Sequence, residues 1–102
     1  MQAVRVADKA IGRIVAAVRQ AGDLERTVII VTSDHGGSGT KHNKALKENI
    51  SIPWIAAGPG IDRGAALSQI IHIQDTMPTI LSLLGEPVPT GLSGRTIALG
   101  AD

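Results

Sequence analysis

The amino-acid sequence predicts an α/β domain built in three layers, with helices flanking a central, mostly parallel sheet. Three observations carry that expectation. Residues 3–18 repeat their apolar side chains at helical spacing, and "RTVIIVTSD" is a β-branched run apolar on both faces. The elements then follow in the order helix, strand, loop, strand, strand, helix. A chain of 102 residues is long enough for one small domain.

In the first helix, Val4, Ala7, Ile11, Ile14, Val15 and Val18 share one side, while Arg5, Lys9, Arg13 and Arg19 fall largely on the other. Gly22, followed by Asp23, is the expected stop. Gly12 inside this helix costs about 1 kcal/mol relative to alanine, a loss that close packing would offset. Asp8 in the same helix reads as structural. The run "RTVIIVTSD" suits a strand buried from both sides. A glycine-rich loop over 36–49 follows, then a second short strand at "IPWIAAG", ended by "GPG". Residues 69–73, "QIIHI", are expected to form a third strand. "DTMPTILSLLG" marks a helix, with Asp75 as N-cap, Pro78 in the tolerant first turn and Gly85 as terminator. The Pro/Gly-punctuated tail "EPVPTGLSGRTIALGAD" is expected to wrap over the surface.

Composition narrows the classes of function. Hydrophobic content of 43% and charged content of 19% fit a folded, soluble chain rather than a disordered one. Net charge is +1 with both signs interleaved, which gives no case for nucleic acid or an anionic membrane as partner. With no cysteine, disulfides and thiolate metal sites are excluded. No apolar stretch reaches the length of a membrane span, and "MQAVRVADKAIGR" carries charges throughout, unlike a signal peptide. Phe and Tyr are absent and Trp54 is the only aromatic residue. A core so poor in large anchors implies that part of it comes from outside this chain.

The chemistry concentrates in "TSDHGGSGTKHN", residues 32–43. In open α/β sheets, working residues gather beyond the carboxyl ends of strands, where Asp34 and His35 are expected. A carboxylate oxygen and an imidazole nitrogen are good donors for zinc, manganese or iron. Adjacent side chains point to opposite faces of an ideal strand, so two neighbours converge on one ion only where the strand breaks. Gly36-Gly37 supplies such a break, and His42 can return on the far side of a short loop. Three oxygen and nitrogen donors with an open position make a catalytic rather than a structural metal site. A strand-to-loop turn, with Asp34 capping amides and His35 hydrogen-bonded, serves the same pattern. A serine hydrolase relay through Ser33-Asp34-His35 does not, because neighbours along a strand cannot line up as a triad.

The ordered segments "SDHGG", a histidine eight positions after Asp34, "IPWI..GPG", "DTMPTIL.LLG" and "GR" together resemble the C-terminal portion of the alkaline phosphatase superfamily. That superfamily takes in type I phosphodiesterases/nucleotide pyrophosphatases, phosphatases and sulfatases. The resemblance runs from the first helix to Arg95 and implies an alkaline phosphatase-like sandwich, of which residues 1–102 are the C-terminal part. It implies that Asp34 and His35 bind the metal facing the nucleophile, and that His42 is a ligand of the second metal. The implied ion is zinc, with manganese, iron or calcium as alternatives. The family also needs an upstream Asp, a Thr, Ser or formylglycine-type nucleophile, and an Asp-x-x-x-His pair. No Asp-x-x-x-His occurs in this chain, so no catalytic nucleophile is nominated and the site is expected to be incomplete.

The implied reaction is hydrolysis of a phosphate ester by a phosphodiesterase or phosphatase. Sulfate-ester hydrolysis, or an incomplete metal- or anion-binding module, stands as the alternative. The loop length from Asp34 to Pro53 favours the phosphodiesterase-like branch. Lys47, thirteen residues after Asp34, matches a lysine that grips the sulfate ester in some sulfatases, although Lys41, Lys44 and Lys47 also suit a solvated face. Glu48 shares that ambiguity. His72 among isoleucines reads as a hydrogen-bonded structural residue, and Trp54 as core or as packing beneath the site. The expected partners are a small phosphate or sulfate ester and the missing N-terminal part of the domain or another chain. The compartment is left undetermined, although relatives are frequently exported.

Overall fold

The computed structural model describes residues 2–34 and 52–100. Helix α1 (Gln2–Gln20) covers the expected amphipathic segment. It ends as the sequence predicts: the Gly22 N–H donates to the Arg19 carbonyl at 3.0 Å and the Asp23 N–H to the Val18 carbonyl at 3.1 Å. Gly22 adopts φ +79°, a conformation that any side chain would resist. The packing expected around Gly12 is not found, because a Cβ at that position meets nothing within 4 Å.

A single 3-10 turn (Leu24–Arg26) leads into the sheet, tied by an ion pair between Arg26 and Asp23. Strands β1 (Ile29–Thr32) and β2 (Trp54–Ala57) pair antiparallel, in a register that sets Ile29 against Ala57 and Thr32 against Trp54. Among the described residues the sheet has these two strands. The pair thus runs opposite to the mostly parallel arrangement expected of the whole sheet.

The third expected strand, over 69–73, does not form. Ile70 is exposed with no strand beside it among the described residues, and Ile73 starts a 3-10 turn (Ile73–Asp75) that runs directly into helix α2 (Thr76–Leu83). The reason is local: the Asp75 carboxylate accepts the His72 backbone N–H at 2.8 Å, which folds the chain back where a strand would have continued. The Asp75 side chain therefore caps the turn before α2 and makes no cap to α2 itself, a correction to its expected role. Pro78 sits in the first turn of α2 as expected, and the Glu86 N–H closes the helix end on the Leu81 carbonyl at 2.9 Å.

The tail does more than cover surface. Ile97 is buried, and it lies where the tail crosses the start of α2 alongside Asp75, Pro78 and Thr79. Gly94 permits the crossing: a Cβ there would lie 1.9 Å from the Gln74 carbonyl oxygen. Further along, the Asp62 N–H donates to the Leu99 carbonyl at 2.8 Å and anchors the tail to the turn after β2. Helix α1, by contrast, has no buried residue and packs against the 3-10 turn that follows it. An open groove of about 1300 Å³ separates its Ile11 and Val15 from Ile29, Val31 and Trp54.

Candidate metal centre

Thr32 is the last residue of β1, and Asp34 lies two positions beyond it, exposed at the carboxyl end of the strand. This strand end is held from three directions. Thr32 pairs with Trp54 in the ladder, and the Thr32 hydroxyl donates to the Pro53 carbonyl at 2.8 Å. The half-buried Trp54 indole N–H donates in turn to the Thr76 hydroxyl at 3.1 Å, joining β2 to the first residue of α2. Trp54 thus stands half-buried beside Thr32 at the end of β1, not enclosed in a core.

Of the expected metal ligands, Asp34 is placed by the structure, whereas His35 and His42 lie outside the described residues, as does Lys47. An exposed carboxylate at a strand end suits a hard or borderline divalent ion, since it offers oxygen acceptors in a polar setting. Among the described residues no group of three or more His, Cys, Asp or Glu could hold an ion. A centre that includes Asp34 must draw its other donors from elsewhere. The groove beside α1 is not that centre, for neither Ser33 nor Asp34 lines it.

A second polar cluster sits at the start of α2. The buried Asp75 carboxylate accepts the Arg95 N–H at 2.9 Å and the His72 N–H at 2.8 Å. Those two amide bonds, Arg95 first, hold its pKa below the ordinary aspartate value, and burial opposes them less strongly. Thr79 completes the cluster: its hydroxyl donates to the Asp75 carbonyl at 2.7 Å and accepts the Ile97 N–H at 3.0 Å. His72 is exposed, not enclosed by isoleucines, with its Nδ1 3.6 Å from an Asp75 oxygen. The sequence reading assigned Asp75 a cap and did not foresee its hold on the tail. The one signal for that was the "GR" at Gly94-Arg95.

Among the described residues the chain thus combines two α-helices with an antiparallel strand pair, and an exposed acid follows the end of β1. The family model described as Sulfatase matches residues 1–86, and the chain belongs to the sulfatase family. It is 35% identical to arylsulfatase K of Bos taurus over 95 residues, which covers 88% of this chain and 18% of that protein. The human arylsulfatase K is 33% identical over the same share of each. The extracellular sulfatase SULF-1 homolog of Drosophila melanogaster is 29% identical over 95% of the chain and 9% of its own length. The chain therefore spans less than a fifth of these relatives. No solved structure matches it. The similarity favours the sulfatase alternative, and the phosphodiesterase reading drawn from loop length gains no support from it. Loop length was a weak guide, since surface loops tolerate insertion at small entropic cost.

Proposed function

We propose that this chain is the C-terminal part of the catalytic domain of a metal-dependent sulfate-ester hydrolase. The observation that carries the reading is the sulfatase match over residues 1–86, reinforced by 35% identity to a protein named as an arylsulfatase. In this reading Asp34 supplies a carboxylate oxygen, and His35 and His42 supply ring nitrogens, to one or two divalent ions, zinc first. A bound ion supplies charge neutralisation and polarises an ester oxygen. Lys47 places a cation against the anionic ester. The Thr32 and Trp54 hydrogen bonds keep the strand end, and with it Asp34, in place.

The layered architecture is part of the same proposal. Strand β1 carries Ile29, Ile30 and Val31 in sequence, the composition of an interior strand, yet among the described residues β2 is its one strand neighbour. With the groove beside α1, this supports a larger sheet completed by the rest of the domain, which also supplies the nucleophile and the remaining ligands.

The test compares p-nitrophenyl sulfate with bis-p-nitrophenyl phosphate as substrates of the protein expressed from its whole gene. The expected result is preference for the sulfate, abolished by chelation and restored by a divalent metal. Asp34→Ala is expected to lower kcat/KM by at least about 100-fold, since even residues that only orient a metal ligand are worth 10–100-fold. Preference for the phosphodiester, or an Asp34→Ala variant of full activity, overturns the proposal.

A further inference from the structure

Helix α2 is apolar on the wrong side for a helix at a protein surface. Its inner side is settled: Pro78 and Thr79 are buried beneath the tail. On the outside, Ile73 just ahead of the helix, Met77, Ile80 and the C-cap residue Leu84 are 54%, 49%, 40% and 69% exposed. Their spacing of four, three and four residues makes one continuous aliphatic stripe, the repeat that seats against a second helix. The helix "TMPTILSL" carries no charged residue, so nothing on it would steer or hold a charged partner.

We infer that this stripe receives an aliphatic helix from the part of the same sulfatase polypeptide that lies outside these 102 residues. The inference rests on the reading of the chain as part of a larger sulfatase. Size decides between that occupant and a second copy of the chain. Four half-exposed side chains offer on the order of 400 Å², against about 800 Å² per partner in a stable complex between separate molecules. A patch this small suffices only where the partner is tethered, because a linker holds it at millimolar effective concentration. Relatives of which this chain spans 18% have ample length to supply such a helix. Ridge-into-groove packing of the stripe gives a crossing angle near +20°.

Photo-cross-linking tests the inference on the protein expressed from its whole gene, with p-benzoylphenylalanine introduced at Met77 and, in a second variant, at Leu84. The same probe at exposed Gln20, which lines neither the stripe nor the groove beside α1, is the control. The expected product is intramolecular, joins residue 77 or 84 to an aliphatic helical peptide outside residues 1–102, and exceeds the control by at least about tenfold, as a tethered neighbour requires. A product of doubled mass assigns the stripe to a second copy and overturns the inference. So does a cross-link within residues 1–102, or a yield no higher than at Gln20. Sulfate-ester hydrolysis measured on the same preparations keeps the two claims apart. Activity without the cross-link sinks only the inference, and the cross-link without activity sinks only the proposed reaction.

Discussion

Asp75 and Thr79 join two distant stretches of chain through few atoms. The Asp75 carboxylate binds backbone N–H groups on either side of it, at His72 and Arg95, so one side chain closes a turn and fastens the tail. Because its folded pKa lies below the unfolded value, its ionised form contributes stability that is fully present above pH 3.8. That contribution fades as the pH drops below 3.8 toward the depressed folded value. Acid unfolding of Asp75→Asn, followed by circular dichroism, is expected to show a shallower dependence on pH in this window than the parent chain. At neutral pH the variant is expected to be the less stable of the two. Thr79→Val leaves the buried Ile97 N–H without its acceptor and is expected to cost about 1–3 kcal/mol in denaturant titration. Gly94→Ala forces a methyl group onto the Gln74 carbonyl. The expected loss is at least about 1–3 kcal/mol, the range for an overpacked core, because here the obstructing atom is backbone.

Among the elements, α1 was the most legible in advance, since an apolar period of 3.6 over five turns and a glycine stop encode it without help from neighbours. Strands β1 and β2 were also legible as strands, although each is shorter than its apolar run. "QIIHI" was misread. Its isoleucines favour a strand, but a strand needs a partner, and the carboxylate two residues further on offered the backbone a competing hydrogen bond. The tail was underestimated for the related reason that Pro and Gly mark irregular backbone without saying what it crosses. Gly12 gives the sharpest test at this scale. Open space surrounds its Cβ position, so Gly12→Ala is expected to stabilise α1 by about 1 kcal/mol, read as a higher unfolding temperature of the 102-residue chain. A decrease would show that something presses on that side of the helix.

Taken whole, the molecule has an inverted distribution of polarity. Among the described residues the most buried include Asp75 and Thr79, while Val4, Val6, Ile14, Ile55 and Ile70 are exposed. The aromatic-poor composition pointed to a core finished from outside, and the groove beside α1 is in keeping with that. Of the candidate site, the position of Asp34 past a strand end was legible, because strand and acid are adjacent in sequence. His35, His42 and Lys47 lie outside the described residues, and residue order alone does not encode which distant side chains meet. In the proposed reading, with the groove covered by the rest of a larger domain, the 102-residue chain is expected to bind 8-anilinonaphthalene-1-sulfonate at neutral pH with a marked rise in emission, and the whole gene product to bind it far less. Equal emission from both would place the groove at the surface of the finished protein.

Trp54 has a practical consequence for anyone who follows this chain in solution. It is the only strong near-ultraviolet chromophore in the sequence, and its ring nitrogen is fastened to Thr76. Emission from the chain thus monitors chiefly the seam where the second strand meets the last helix, whereas the long amino-terminal helix holds most of the helical residues among those described and so weighs most in the far-ultraviolet signal. Melting curves recorded by the two methods report on separate halves of the chain. A gap between their midpoints would mark the seam and the helix as independently unfolding units.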